Sequence, residues 1–537
     1  MPFRPDHSVA AALLSGLVGS AAIAAPPVTI EGLFGDWSKR PVAHRDPKGD
    51  GPLDLVKLTC ADEPGWFQFL IESPVDFDLS ENNQLVLLLD TDDDASTGLQ
   101  AEGIGAEVRF VFGDREGRFY ANPTSNPNGG TQIWHGDLAL QSGPTVTSTR
   151  FEVALSRTAS VDGRAVFPGD TVAMVLVDGG GERLPDAGAV RHVLDLAPPP
   201  SGRDVPLGKE RPDDVRTVSW NVLRDNPWVS AETARFARIV RALEPDILNL
   251  QEIYDHSTNQ TRNRFAAWLD GSSSDWFAAG NNDCKTLSRY PILHSEALGG
   301  NLVVLVDTTV PLGRPLLIFN AHTPCCDNDE GRQWEIDQML HFVGRVRAGE
   351  HDDIPSDVAV QIAGDLNLVG LSQQLESLVT GDIVYEDDWG PDVALDVDGS
   401  NLLDPFPLQT EVRLAYTWRN DWSWFWPGRL DVSIISDAVL EPGRQLVLET
   451  RSMSPSRLKE HALLAEDSNC SDHLPVICDV RKPTPLAGDL NGDGKVDGGD
   501  MGILLAAWNT NDPIADLNDD GTVNGEDLGL LLATWTG

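Results

Sequence analysis

Basic residues are scarce in this chain: 40 Lys and Arg stand against 83 Asp and Glu in 537 residues, a formal net charge of −43. That balance excludes broad electrostatic adhesion to nucleic acid or anionic membrane as the main source of affinity, and no Lys/Arg cluster marks a long DNA footprint. A phosphate substrate stays open, because a bound cation can be the largest local charge inside an acidic protein. Long apolar runs are also missing. Past the first residues none approaches the roughly 18 needed to span a bilayer. Cysteine is limited to Cys60, Cys284, Cys325, Cys326, Cys470 and Cys478. No C-x-x-C spacing occurs among them, which argues against a thiolate metal centre.

The length implies two to four domains. Arg4 opens a short polar start, residues 9–22 form a small-residue apolar stretch, and Ala22-Ile23-Ala24 offers an A-x-A cleavage site before Pro26. Residues 1–24 therefore read as a signal peptide, and the mature chain is expected to be secreted or extracellular, with a periplasmic or cell-surface location as variants. Export permits disulfides. Six cysteines allow 15 pairings, and the expected ones are Cys470 with Cys478 and Cys284 with Cys325 or Cys326.

Three regions follow. Between 26 and 200, β-rich runs at 84–89, 107–112 and 171–177 are separated by Gly, Asn, Asp and Pro, the pattern of an all-β sandwich. Asp90, Asp92 and Asp94 could bind calcium or simply form an acidic turn. Prolines at 198–200 predict an extended linker. From 211 to 482, buried-strand runs mix with helical spacing at 231–243 and 334–346, as in an α/β domain. From 486 to 537 the chain repeats itself. Asp489, Asn491, Asp493, Lys495, Asp497 and Asp500 recur as Asp516, Asn518, Asp520, Thr522, Asn524 and Asp527. Each set places oxygen ligands at loop positions 1, 3, 5, 9 and 12, a backbone carbonyl at 7 and a glycine at 6, the pattern of an EF-hand Ca2+ loop. Apolar helices are predicted at 501–508 and 528–535.

The polar groups that metal-assisted phosphoester cleavage requires are concentrated in the middle region. Asn221, Gln251-Glu252 and Asp365-Leu366-Asn367 each end an apolar, strand-like run, and Ser471-Asp472-His473 forms a fourth piece. Strand ends place side chains at a sheet rim, where carboxylate, amide and imidazole groups could hold a hard cation, position a phosphate and exchange protons. Singly, each residue reads as a turn residue, a solvated strand end or a structural histidine. The weight comes from their coincidence.

Several resemblances sharpen these readings. The patches at 219–223, 245–252, 287–292, 320–323, 364–367, 429–431 and 471–476 resemble, in order, the endonuclease/exonuclease/phosphatase superfamily. That resemblance implies two packed mixed sheets flanked by helices, and phosphodiester hydrolysis by in-line attack of water. Carried over, it makes Glu252, Asn221 and Asp472 the Mg2+ (or Mn2+) ligands. Asp365 would activate water, Asn367 would bind a phosphate oxygen, His322 and His473 would flank the phosphate, and Asp431 would orient His473. Ser288-Arg289-Tyr290 is read as structural. The duplicated loop and helix resembles type I dockerins, which implies docking to a cohesin-bearing protein. Segments 29–37 and 89–94 resemble family 9-like carbohydrate-binding sandwiches, which implies a polysaccharide ligand. A nuclease leads among the substrate readings; a sphingomyelinase-like enzyme and a noncatalytic modular binding or scaffold protein are the alternatives. The aromatic loop at 418–429 fits a stacking platform, a lipid wedge, or packing over its own sheet.

Overall fold

The computed structural model describes residues 28–49, 51–63, 65–195, 203, 205–269, 271–484, 486–492 and 494–536. The expected signal segment 1–24, the linker at 197–202 and Asp493 lie outside the described residues.

The chain is multidomain. Its first part is all β. A five-stranded antiparallel sheet runs in the order Val42–Arg45, Lys57–Glu63, Trp66–Phe77, Ser148–Ser156, Gln141–Gly143, and faces a seven-stranded sheet that includes Thr171–Val177, Val86–Asp90, Val108–Val111 and Glu116–Phe119. Alternate residues supply the core between them: Phe67, Phe69 and Ile71 from one sheet meet Leu87, Leu89, Val172, Met174 and Leu176 from the other. The two-residue side-chain period of a strand makes this face continuous.

The central part is a two-sheet α/β sandwich. One sheet contains β1 (Val215–Asn221), β2 (Ile247–Gln251), β3 (Phe277–Asn281) and β4 (Cys284–Ser288); the other contains β5 (Ile292–Leu298), β6 (Asn301–Val306), β7 (Leu316–His322), β8 (Ala359–Asp365) and β9 (Asp431–Ile435). The first sheet is completed by β10 (Glu441–Val447) and β11 (Val476–Arg481) in the order β3-β4-β2-β1-β11-β10, and the second runs β5 to β9 in sequence. Helix α1 (Thr233–Leu243) buries Phe236, Ile239, Val240 and Leu243 against Val218, Trp220, Leu248 and Leu250 on the outside of the first sheet. Helix α2 (Thr258–Trp268) joins the same core through Phe265 and Ala266. On the far side, α3 (Asp329–Arg347) packs Ile336, Met339, Leu340 and Val343 onto β6, β7 and β8. It begins before the apolar repeat at 334–346 because Asn328 accepts the Gly331 N–H and Asp329 and Glu330 occupy the positive end of the helix.

The space between the two sheets changes character along the strands. At one end Val215, Ile247, Val304, Ile318, Ile435 and Val480 form a dry core. A layer of buried amides and hydroxyls follows, in which Gln251 Nε2 donates to Asn320 Oδ1 at 2.7 Å, Thr286 Oγ1 to Asn249 Oδ1 at 2.9 Å, and Gln361 Nε2 to Thr217 Oγ1 at 2.7 Å and Ser433 Oγ at 2.8 Å. Beyond it the strands end in charged groups. Period-two alternation keeps all three layers on the same strand faces.

The β-sandwich and the central domain share a core. Val28, Ile30, Trp37 and Leu70 pack with Leu414, Tyr416, Val447 and Leu474. Ile30 N donates to Arg413 O at 3.0 Å and Ala415 N to Ile30 O at 3.1 Å, so the first described residues form a bridge into the other domain.

The cysteine pairings expected from the sequence are corrected: neither pair is joined by a disulfide, and Cys325 Sγ instead lies 2.6 Å from Cys326 Sγ. Cys478 points into the inter-sheet core with Cys284, whereas Cys470 belongs to the core beneath α1, on the opposite side of the sheet. Cys284 is wholly buried while Cys325 and Cys326 are exposed. Their neighbourhood in sequence hides the sheet that separates them.

The tail forms a small α module. Helices α4 (Gly498–Ala506) and α5 (Gly525–Ala533) each start earlier than the apolar runs at 501–508 and 528–535. Asp497 and Asn524 cap them, with reciprocal bonds from Asp500 and Asp527. Val496, Leu504, Ala515, Val523 and Leu531 make its core. Among the described residues no helix is long and apolar enough to cross a membrane.

Candidate active site

Strand register builds the site. In the second sheet His322, Asp365 and Asp431 stand abreast at the adjacent ends of β7, β8 and β9, and in the first sheet Asn221 stands beside Gln251 on β1 and β2. A Cβ on Gly364 would fall 1.9 Å from Ala321 O, so only glycine permits the approach of β8 to β7 that sets Asp365 beside His322. Glu252 and Asn367, the residues that turn the chain off these strands, both adopt left-handed backbone angles, with φ of 63° and 47°. Such conformations cost non-glycine residues free energy and recur at functional sites.

The side chains converge. Asn221 Nδ2 donates to Asp365 Oδ2 at 2.9 Å and to Glu252 Oε1 at 3.2 Å. Glu252 Oε2 accepts Arg224 N at 2.9 Å, and Asp365 Oδ1 accepts Asn367 N at 3.0 Å. The Nε2 atoms of His473 and His322 lie 3.4 and 3.7 Å from the same Asp365 Oδ2. Behind His473, its Nδ1 meets Asp431 Oδ2 at 2.9 Å, and Thr417 Oγ1 donates to that oxygen at 2.6 Å. Behind His322, its Nδ1 meets Asp283 Oδ2 at 2.6 Å, and the same oxygen accepts Glu252 N at 3.0 Å.

Charge follows from this geometry. Burial opposes protonation of His473, but Asp431 and Asp365 outweigh it and push its pKa up to about 10. His322 is raised to about 9 against burial, by its bond to Asp283 and by Asp365. Burial alone would raise Asp283, yet the His322 bond and charge hold its carboxyl below the ordinary value. Two carboxylates share one neutral amide at Asn221, an arrangement rich in hard oxygen donors that fits a divalent cation. Asp365, Asp431 and His473 also place ligand-type atoms within 4.8 Å of one another.

Residues 218–473 match the Endonuclease/Exonuclease/phosphatase family, and residues 487–533 match the Dockerin type I domain. The chain carries a domain of each. No curated protein matches it. Among solved structures, ANGEL2, a 2',3'-cyclic phosphatase, is 14% identical over 50% of this chain and 95% of its own, with a TM-score of 0.34. An AP endonuclease, LMAP from Leishmania major, is 14% identical over 52% and 93%, with a TM-score of 0.31. A carbohydrate binding module family 9 from Caldicellulosiruptor kristjanssonii, solved with cellotriose, is 11% identical over 31% and 77%, with a TM-score of 0.18. At these scores the likenesses say nothing about substrate.

Within the endonuclease/exonuclease/phosphatase domain, most of the sequence-selected residues meet. Asn367 is buried, and its Nδ2 donates to Thr323 O at 2.9 Å. Asp472 Oδ2 accepts Trp418 Nε1 at 3.2 Å, and its other oxygen is buried with no hydrogen-bond partner among the described residues. Tyr290 N donates to Ser288 Oγ at 2.9 Å, a local turn contact. Asp283 lies outside the sequence patches. It sits in the β3–β4 turn, 39 residues before His322, and only the turn signal Asn282-Asp283 marked it.

The aromatic loop lies neither over its own sheet nor free beside the site. Trp426 enters the core of the β-sandwich with Phe110 and Phe112, and its Nε1 donates to Ser142 Oγ at 2.7 Å. Trp424 meets Trp134 edge-on at 4.2 Å, and Arg115 lies 3.9 Å over the Phe425 ring. Trp422 projects furthest, 97% exposed, and Trp424 and Phe425 stay exposed as well.

In the dockerin domain the two loops bond alike. Asp489 accepts the Gly492 and Gly494 amides, and Asp516 those of Asp520 and Gly521. Asp500 Oδ1 accepts Leu490 N and Asn491 N, as Asp527 Oδ1 accepts Leu517 N and Asn518 N. Asn518 and Asp520 are tied by a bond at 3.2 Å, and Thr522 O accepts Asn524 Nδ2 at 2.9 Å.

Proposed function

We propose that this protein is an exported, divalent-metal-dependent phosphodiesterase, with a nuclease as the leading subclass. The observation that carries it is the convergence of two raised-pKa imidazoles on Asp365, beside Asn221 and Glu252. Glu252, with Asn221 and Asp472, would hold Mg2+ or Mn2+, which supplies positive charge to a phosphate oxygen. The chain's own groups do the rest. Asp365 orients the attacking water and takes its proton, and Asn367 steadies a phosphate oxygen. His322 and His473, held protonated by Asp283 and Asp431, donate to the charge that develops on the phosphate and to the leaving oxygen.

Trp426, packed in the β-sandwich core, is unavailable as a lipid wedge, so a sphingomyelinase-like activity would rest on the exposed Trp422, Trp424 and Phe425. The full chain with Mg2+ or Mn2+ should nick plasmid DNA and hydrolyse a bis-aryl phosphodiester while leaving sphingomyelin intact. His473→Ala and Glu252→Ala should be silent on both. RNA cleavage without DNA cleavage would keep the chemistry and change the polymer. Lack of metal-dependent turnover on all four substrates would overturn the proposal.

Calcium in the tail loops would permit docking to a cohesin-bearing protein, and the β-sandwich is a candidate polysaccharide binder. Removing Ca2+ from the full chain should expose residues 486–536 to limited proteolysis, with protection restored by Ca2+ and not by Mg2+. Equal cleavage with and without Ca2+ would count against this assignment of the loops.

A further inference from the structure

A second cluster of metal-type ligands lies on the opposite flank of the central domain from the rim just described. It involves His294 and Glu296 of β5, the edge strand of the five-stranded sheet, and His351 in the turn after α3. Residues two apart on a strand share a face. His294 and Glu296 are half-buried while Leu293 and Ser295 between and before them are exposed, so the pair faces α3.

Both imidazoles address one carboxylate oxygen. His351 Nε2 is 3.1 Å from Glu296 Oε1 and His294 Nε2 is 3.5 Å from it, with ring centroids 5.4 Å apart. Ordinary hydrogen bonding accounts for only part of this. His351 can bond Glu296, but His294 Nε2 is buried with no hydrogen-bond partner, and so is His351 Nδ1. Buried polar atoms left in that state call for an explanation. The far nitrogen of His294 supplies a further clue, because its Nδ1 lies 3.6 Å from Asp353 Oδ2. A metal-ligating histidine commonly gives its other ring N–H to a carboxylate. On its inner side the Phe342 ring lies 5.1 Å from His351, an apolar wall that would exclude competing water.

We propose that His294, Glu296 and His351 form a Zn2+ site. Two imidazoles and one carboxylate suit Zn2+ far better than Mg2+ or Ca2+, which prefer oxygen donors throughout. The site leaves a fourth position for water. It fastens the edge strand β5 to the turn after α3.

The test uses the full chain stripped with chelator, then dialysed against Zn2+ with excess Ca2+ and Mg2+, and analysed for bound zinc. His351→Ala and His294→Gln are each expected to lose one equivalent relative to wild type, because zinc taken up by His322, His473 or the cysteines is common to all three proteins. Co2+ in place of Zn2+ should give a visible d–d band that is weaker in both variants, the difference from wild type carrying no thiolate charge-transfer component. Retention of wild-type stoichiometry and spectrum in both variants overturns the proposal. A fold check by circular dichroism in chelator guards against loss through unfolding, and either variant suffices.

Discussion

Asp365→Asn should lower turnover of a bis-aryl phosphodiester by about 10³-fold or more, the largest loss expected of any isosteric change in this protein. Asp365 Oδ2 is the one atom to which Asn221, His322 and His473 all turn, at 2.9, 3.7 and 3.4 Å. An amide there removes the proton acceptor for water. It also removes a charge that raises both imidazoles, and in one of its two orientations it presents an N–H to two imidazole N–H groups. The fold should survive, since the Asn367 N–H can still be accepted by the amide oxygen. Because the lost interaction concerns the reacting water, kcat should fall while KM changes little. Asp365→Asn activity within tenfold of wild type would remove Asp365 from the chemistry and transfer the base role elsewhere.

The rim of the sheets was legible because strand ends and chemistry coincide there. Asn221, Gln251 and Asp365 each close an apolar run, and period-two patterning fixes which face those runs bury. What the sequence could not show is who stands opposite whom. Asp283 supports both His322 and Glu252 from a turn with no flanking pattern. The buried amide layer of Asn249, Gln251, Asn320 and Gln361 looks, residue by residue, like interruptions in apolar strands. It becomes intelligible only when two sheets stack those positions at one depth, each side chain then bonding another buried polar side chain through at least one of its ends. The cysteines mislead for the same reason. Only seven residues separate Cys470 from Cys478, but between them the chain enters β11 and its side chains change cores. Helix starts at Asp329, Gly498 and Gly525 precede the apolar repeats because caps, not hydrophobic periodicity, decide where a helix begins.

Trp426→Ala should destabilise the join between the β-sandwich and the central domain by about 3–5 kcal/mol, the usual cost of deleting a buried tryptophan. The side chain is 7% exposed and belongs to the sandwich's own core, although the chain that carries it leads directly to Asp431. Its loss opens a cavity beside Phe110 and Phe112 and leaves the Ser142 hydroxyl without its indole donor. Hydrogen exchange should therefore quicken by about 10²- to 10³-fold in Val108–Val111 and Gln141–Gly143, while α4 and α5 keep their protection. Trp426→Phe should recover most of the loss, and Trp422→Ala, at the exposed tip, should change stability by less than about 0.5 kcal/mol. These variants also separate the two uses of an aromatic loop. A stacking platform for substrate would make Trp422 and Trp424 govern KM with stability unchanged, whereas a domain clamp makes Trp426 govern stability first. Catalysis then changes only as far as the clamp positions Arg429 and Asp431, since Arg429 N is bonded to Thr145 Oγ1 of the sandwich at 2.8 Å. Unchanged exchange in Trp426→Ala would mean that the two domains hold together through their other contacts, such as the Ile30 bridge and the Arg429–Thr145 and Thr147–Gly370 bonds.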